Sequence, residues 1–305
     1  MKKRVAISIV IPTYNQGHYL EKCLRSIVDQ TFTDWEVIVV NDFSDDNTVE
    51  VVENFPDQRI RLVNFRSNRI IATSRNKGIE LANNDLIAFL DSDDSWYPEK
   101  LNRCIQELTP DRDLVCHGMR YIKNGRYWKD VKCGPEGKSG FYSLLFNGNS
   151  LITSAVLVRK ACLLKVGGFC EDPSIVSAED YDLWLRLSKE KMRFCFINDI
   201  LGEYLYHENS ASRKVLSHMK AGLAVFDKHF ASIGKVTMVD RFRMKHGKAL
   251  FFYGAARSFQ HNGSKTEAIY YFMKSVQIFP FILRAYAGII LSLFTFLRFN
   301  KTGTS

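Results

Sequence analysis

LIAFLDSDDSW, residues 86–96, decides how the rest of the chain is read. Leu86–Leu90 is a short continuous apolar run, the pattern of a strand buried on both faces. It breaks off at Asp91, Asp93 and Asp94. Carboxylates this close repel one another unless a positive charge sits among them. A hard divalent cation carrying a diphosphate meets that need, because it takes one or two protein oxygens and fills its shell with phosphate and water. Ligands of open α/β sheets bind beyond the carboxyl ends of the strands, which is where these acids fall. The competing reading is a plain loop whose aspartates cap a helix begun by Pro98.

Upstream, Val5–Ile11 is β-branched and continuous, as a central parallel strand is. Pro12–Gly17 is the loop after it, and Leu20, Cys23, Leu24 and Ile27 give Tyr19–Val28 helical spacing. Trp35–Val40 reads as a second strand ending at Asn41-Asp42, and Ile60–Phe65 as a third. Thr48–Phe55 and Thr73–Leu81 read as the helices that follow them. Strand–helix alternation with short loops predicts βαβ units and a mostly parallel sheet. Thr13 and Asn15, Asp42, and Asp91 and Asp93 then converge on one cleft at the strand ends. Downstream, Asp113–Tyr121 and Arg126–Val131 look like an antiparallel excursion, Phe141–Phe146 a short helix and Ser154–Arg159 a strand. Residues 140–150 read as core plus a loop. Asp180–Leu187 is an amphipathic helix, and Phe194–Ile197 and Gly202–Tyr206 are two closing strands. Trp96 and Trp184 read as core sooner than as exposed stacking platforms.

With 305 residues and an apolar share of 46%, one large domain plus an appendage is expected, divided as 1–211 and 212–305. The net charge of +9 is unevenly placed: from Tyr206 onward there are 15 basic and 4 acidic residues, which leaves the first 205 at −2. A basic C-terminal third suggests anionic lipid or another acidic partner. No zinc-finger or RNP motif is present, so nucleic acid is not an expected partner. Seven scattered cysteines without a CxxC pair suggest free thiols in a reducing, cytoplasmic setting. MKKRVAISIVIP reads as the first strand and not as a signal peptide, and no apolar run reaches the roughly 18 residues of a spanning helix.

Lys248–Pro280 carries Phe252, Ala255, Ala256, Phe259, Gly263, Ala268 and Phe272, and resembles one tetratricopeptide-type hairpin with Ser275 in place of the usual Ala. A single unit suits a packing appendage better than a peptide-binding solenoid. Phe281–Leu297 is apolar but interrupted by Arg284; it suits a final helix on the hairpin and peripheral attachment to the inner face of a membrane equally well.

Four stretches carry a wider resemblance: IVIPTYNQGHYLEKCLRSIVDQTF at 9–32, VVNDFSDDNT at 39–48, SRNKGIELANNDLIAFLDSDD at 74–94 and GGFCEDPSIVSAEDYDLWLRL at 167–187. In this order and spacing they resemble a family 2 glycosyltransferase with the GT-A fold over roughly residues 5–207. The resemblance implies an α/β fold with a Rossmann-like nucleotide-binding half, followed here by a C-terminal helical extension. It places Pro12, Thr13, Tyr14, Asn15 and Asp42 around the nucleotide base and ribose, with Arg75 nearby. Asp91-Ser92-Asp93 matches the DXD motif, with Asp93 the direct ligand of Mn²⁺ or Mg²⁺, Asp91 and His207 beside it, and Ser92 at the nucleotide. Glu179-Asp180 matches the acidic pair near the acceptor, with Asp180 the general base. Two positions depart from the family pattern: Asn41 replaces the first acid of an Asp-Asp pair, and Leu205 stands where many members have the Arg of Arg-x-His. The expected reaction is an inverting transfer from a nucleotide-diphosphate-sugar, a UDP-sugar by the carboxylate at Asp42, to a glycan or lipid-linked acceptor. The rival expectation is a non-catalytic sugar-nucleotide-binding scaffold, which has no use for a base at Asp180.

Overall fold

The computed structural model describes residues 5–207 and 214–300, without the side chains of 294–300. The first four residues and the onset of the helical region near Ser212 lie outside what is described, and the end of the Phe281–Leu297 stretch is described in its backbone alone.

In chain order the first unit holds β1 (Ile7–Thr13), α1 (Gly17–Val28), β2 (Trp35–Asn41), α2 (Thr48–Glu53), β3 (Ile60–Asn64), α3 (Ile71–Leu81), β4 (Leu86–Phe89), β5 (Ser95–Trp96), α4 (Lys100–Glu107), β6 (Leu114–Lys123) and β7 (Arg126–Val131). After α5 (Phe141–Asn147), which from Tyr142 on belongs to the second unit, the first unit continues with β8 (Val156–Arg159), α6 (Lys160–Lys165), α7 (Glu179–Lys189) and β9 (Phe194–Tyr206). The strands form one sheet in the order β3-β2-β1-β4-β8-β6-β9-β5, with β7 on β6. The β3-β2-β1-β4 half is parallel, and β8 runs antiparallel to both β4 and β6.

Every residue of β1 is buried, and its apolar run is interrupted only by Ser8, whose hydroxyl donates to Glu36 Oε1 at 2.6 Å, before it ends at Thr13. Ile7, Ile9 and Ile11 join Val37, Val39 and Ala88 on one face, where Leu20, Leu24 and Ile27 of α1 cover them. On the other face Gly78 of α3 lies so close to Val10 that a Cβ there would collide with its Cγ1. Helices on both faces are what a parallel half-sheet requires. The register pairs Thr13 with Asn41 and Asn41 with Asn64, so the strands end level and their loops gather on one edge.

The structure corrects two expectations here and decides a third. Phe194–Tyr206 is one strand and not two; it pairs parallel with β6 through register shifts at Gly118. A Cβ at Gly118 would strike the Ile200 side chain, so the glycine lets the irregular stretch close. β5 and α6 were not expected at all. Trp96 and Trp184 are core: both are buried, and the Trp96 indole N–H donates to the Ser154 carbonyl at 2.7 Å.

The second unit comprises Tyr142–Asn149 and the chain from Glu208 on, so residues 142–149 cluster with the C-terminal helices and not with the 1–211 domain to which the sequence assigned them. Its described helices are α8 (Val215–Ala231), α9 (Met238–His261), α10 (Lys265–Ile278) and α11 (Leu283–Asn300). α9 and α10 form the hairpin expected at 248–280, with Ala249, Ala256, Ala268 and Phe272 at its core. Ser275, in place of Ala, is fully buried and its hydroxyl donates to the Ala249 carbonyl at 2.8 Å, which satisfies the polar group. α11 packs back through Ala285, and Gly288 lets the Phe272 ring lie against its backbone. Among the described residues no helix is long and apolar enough to cross a membrane, and all seven cysteines are free thiols.

Candidate active site

The acids after β4 each hold a different partner. Asp91 Oδ1 accepts from Arg75 Nη2 at 2.7 Å. Asp93 Oδ2 lies 2.8 Å from His207 Nε2. Asp94 Oδ1 accepts the backbone N–H of Leu205 at 3.0 Å. That last bond pins the end of β9 and delivers His207, two residues on, to Asp93; the Tyr19 ring backs the imidazole at 4.8 Å. So Leu205 contributes through its backbone at the point where its side chain departs from the family pattern. Ser92, between the two acids, is buried and donates to Gln16 Oε1 at 2.6 Å just ahead of α1, so its hydroxyl proton is used within the protein.

Burial pushes the Asp93 carboxyl up and Asp91 adds to it, while the hydrogen bond and charge of His207 oppose. Burial, then Asp93 and Asp91, push Asp94 further up. Asp94 Oδ2 is buried without a hydrogen-bond partner among the described residues. An added cation would relieve this excess of negative charge. Among the described residues no preassembled group of three ligands exists. A cation delivered on a diphosphate needs only one or two from the protein. Asp93 with His207 beside it meets that requirement, so the residues fit the group.

Arg75, expected near the base, is committed elsewhere. It is 3% exposed, and its Nη1 donates to Glu179 Oε1 at 2.7 Å while Nη2 holds Asp91. The guanidinium therefore joins the motif after β4 to the acidic pair opening α7. Burial pushes the Glu179 carboxyl up against the pull of Arg75, and Asp180 adds to the rise. Glu179 Oε2 is buried with no partner among the described residues. Asp180 is half-buried; its Oδ1 accepts from the Tyr181 N–H at 2.6 Å and its Oδ2 from the Thr153 hydroxyl at 3.2 Å. Its charge acts on Arg75, Glu179 and Tyr121, which sets all four in one neighbourhood. The helix cap is Ala178, so Asp180 is not spent on capping.

Sequence reasoning missed Thr153 and Ser154. The Asp91 N–H donates to Ser154 Oγ at 3.1 Å, so this buried turn before β8 supports acids of both motifs. The signal available was a polar pair inside LITSAVLV. A second omission is the aromatic strip on β6, β7 and β9. Tyr121 stacks on Tyr204 at 4.5 Å, Trp128 lies 5.5 Å from Tyr206, and the Lys129 ammonium is 4.4 Å from the Trp128 ring centre.

At the β1–β2 edge, Asp42 does what a loop-binding carboxylate does. Its two oxygens accept the backbone N–H groups of Ser67 and Arg69, each at 2.8 Å. Burial alone would raise this carboxyl, but the bonds from Ser67 and Arg69 and the Arg69 charge hold it below the usual range. Asn68 and Arg69 both have positive φ, 54° and 64°, a left-handed pair that needs such anchoring. The loop so held lays the Arg69 guanidinium over the Tyr14 ring at 3.3 Å. Arg69 is therefore the cation at the Pro12–Asn15 loop, where Arg75 was expected. Asn15 Oδ1 accepts the Asp45 N–H at 2.8 Å, and its own N–H donates to Ser44 Oγ at 2.8 Å, lacing this loop to the one after β2. Thr13 Oγ1 is buried without a partner among the described residues. Asn41 uses its amide as only Asn can: Nδ2 donates to Asn64 and Oδ1 accepts from Ser44. Asp42→Ala is expected to cost about 1.5–3 kcal/mol of stability, the range for hydrogen bonds to a charged group, and to weaken nucleotide binding through the released loop. Urea unfolding and nucleotide titration decide the point; weaker binding at unchanged stability would mean that Asp42 reads the nucleotide directly.

The comparisons with known proteins agree with this geometry. The model described as "Glycosyl transferase family 2" matches residues 8–165, more than half of the chain. The chondroitin synthase of Pasteurella multocida is 31% identical over 70% of this chain, which spans only 22% of that synthase's length. A glucosyltransferase of Escherichia coli, WfgD, is 33% identical over 60% of this chain and 70% of its own. A crystal structure of S. aureus TarS superposes with a TM-score of 0.59 at 19% identity, covering 93% of this chain and 92% of that one. A mannosyltransferase from Pyrobaculum calidifontis gives 0.62 at 18%, covering 97% and 81%. With the family match covering the strand ends and the acids at 91–94, the chain belongs to glycosyl transferase family 2.

Proposed function

We propose that this chain is an inverting glycosyltransferase that moves a sugar from a UDP-sugar to a hydroxyl of a glycan or lipid-linked acceptor in cell-surface polysaccharide assembly. The observation that carries the reading is Arg75, whose one guanidinium holds a donor-side acid, Asp91, and an acceptor-side acid, Glu179. Related proteins support the substrate class. The Escherichia coli relative is named as a transferase from UDP-Glc to a GlcNAc-diphosphoundecaprenol, and a Bacillus subtilis relative as a putative teichuronic acid glycosyltransferase. The protein would work at the inner face of the cell membrane, where a lipid-linked acceptor is presented.

Each residue then has a task. The Pro12–Asn15 loop, with Arg69 on Tyr14 and Asp42 behind it, holds the nucleoside. Asp93, with His207 and Asp91 beside it, would hold Mn²⁺ or Mg²⁺ together with the diphosphate. When bound, such a cation supplies neutralising charge to the leaving diphosphate. Asp180 takes the acceptor proton at its carboxylate as the hydroxyl attacks C1 from the face opposite the diphosphate. One base and a single displacement invert the anomeric centre. Glu179, fixed by Arg75, positions the acceptor. Release of UDP from a UDP-sugar by the purified protein, dependent on an acceptor glycan, tests the reading; nucleotide binding without any turnover would favour the scaffold. Asp93→Ala is expected to abolish the gain in nucleotide affinity that Mn²⁺ brings, with Asp91→Ala milder. Calorimetric titration with UDP, with and without Mn²⁺, measures this, and a gain as large in the variant as in the wild type removes Asp93 as ligand.

A further inference from the structure

The second unit exposes apolar side chains on several helices, and the three most exposed of them fall at the start of α9 and at the turn from α10 into α11. Met238 is 88% exposed, Phe281 73% and Leu283 79%, and Val239 and Phe242 are each more than half exposed. Met238, Val239 and Phe242 lie three and four positions apart at the start of α9, on one face of the helix. Phe281 and Leu283 lie at the turn from α10 into α11. Phe279 joins the two groups, its ring 4.9 Å from Phe242 and 5.5 Å from Phe281. Singly exposed apolar residues are ordinary, but a contiguous ridge of five marks an interaction surface.

The charge around the ridge identifies the occupant. Arg241, Arg243 and Lys245 on α9 and Arg284 on α11 are all exposed. Asp240 is the sole acid between Asp227 and Glu267, and its carboxylate is used locally, accepting the N–H and hydroxyl of Thr237 in the cap of α9. Two copies of the chain apposed through this face would bring like charges together, which is costly. An anionic bilayer offers the complement: apolar depth for the rings and headgroup charge for the cations.

We propose that the ridge of Met238, Val239, Phe242, Phe281 and Leu283 is a lipid-docking surface for an anionic membrane. It lies at the α9 start and the α10–α11 turn, so attachment does not depend on the far end of the apolar tail. It is independent of the transferase reading, which stands or falls on nucleotide release.

The full chain is sedimented with vesicles of phosphatidylcholine alone and with phosphatidylglycerol added. Binding is expected only to the anionic vesicles. Arg241→Gln/Arg243→Gln/Lys245→Gln is expected to lower the partition coefficient on the order of a hundredfold, since each cation near the surface contributes about fivefold. Phe281→Ser/Leu283→Ser should lower binding at high salt as well as low. All these side chains are exposed, so melting temperatures should match the wild type, and both variants should keep UDP release with a water-soluble acceptor. Wild-type protein that ignores anionic vesicles overturns the proposal. So do variants that bind as well as wild type, and so does a concentration-dependent dimer by light scattering that Phe281→Ser/Leu283→Ser dissolves, which would assign the ridge to a second copy.

Discussion

Asp180→Asn is expected to lower kcat by a factor on the order of 10²–10⁴, the loss typical of a missing general base, with donor affinity nearly unchanged. The carboxylate sits in the first turn of α7, a helix anchored by the buried Leu183, Trp184 and Leu187. It accepts from the Tyr181 N–H and the Thr153 hydroxyl, both donors. An Asn keeps this shape: its carbonyl can accept from Tyr181, and the Thr153 hydroxyl can rotate to accept from its NH₂. What the amide cannot do is take a proton at neutral pH. The neighbouring acids are poor substitutes. Glu179 is buried and held by Arg75, and Asp182 is fully buried and holds Arg186 Nε at 2.7 Å. Glu179→Gln should therefore cost less in kcat than Asp180→Asn and more in acceptor KM. Single-turnover transfer, with donor binding measured separately by calorimetry, separates the effects. Transfer by Asp180→Asn at close to the wild-type rate would take Asp180 out of the mechanism and leave Glu179 as the nearest acid.

The parallel half of the sheet was legible because its strands are buried on both faces. Val37–Val40 and Leu86–Phe89 have no polar residue to blur the pattern, and each stops where a polar loop begins. β9 was not legible as one strand because Asn198-Asp199 in its middle has the composition of a turn. What keeps it continuous is the β6 backbone at Gly118, a long-range partner that no local window contains. β5 was missed because two residues carry no periodicity.

The site shows the same division. Acids are visible in a sequence, but the groups they bind are not. Asp42 stood out after its strand, yet its partners are backbone N–H groups at Ser67 and Arg69, which have no signature of their own. Arg69 is one of several arginines in RIRLVNFRSNR, residues 59–69, and only its left-handed backbone and its place over Tyr14 single it out. Thr153 and Ser154 resemble any polar interruption of an apolar run until the fold sets them beside Asp180 and Asp91.

Arg75→Met is expected to be the most damaging change to the fold of the site. Burial works against a charged guanidinium here, but Asp91 and Glu179 outweigh it and keep Arg75 protonated. Methionine fills much of the same volume and removes both ion pairs. Glu179 would then be a buried carboxyl without its cation, and breaking a buried pair by removing one partner costs roughly 3–5 kcal/mol. Asp91, less buried, adds little of its own. Arg75→Lys should fall between, since one ammonium cannot reproduce a fork that reaches two carboxylates at once. The double variant Arg75→Met/Glu179→Gln tests the cause. If the loss comes from an uncompensated Glu179, neutralising it restores part of the stability, and the two changes couple by more than about 1 kcal/mol, beyond the roughly 0.5 kcal/mol scatter of independent sites. Transfer activity should stay low in the double variant, because Asp91 and the acceptor side are no longer joined. Urea midpoints at neutral pH for the wild type, both single variants and the double variant give the coupling directly. Strict additivity would show that Arg75 and Glu179 act separately, and the link between the two halves of the site would have to be sought in the Thr153–Ser154 turn.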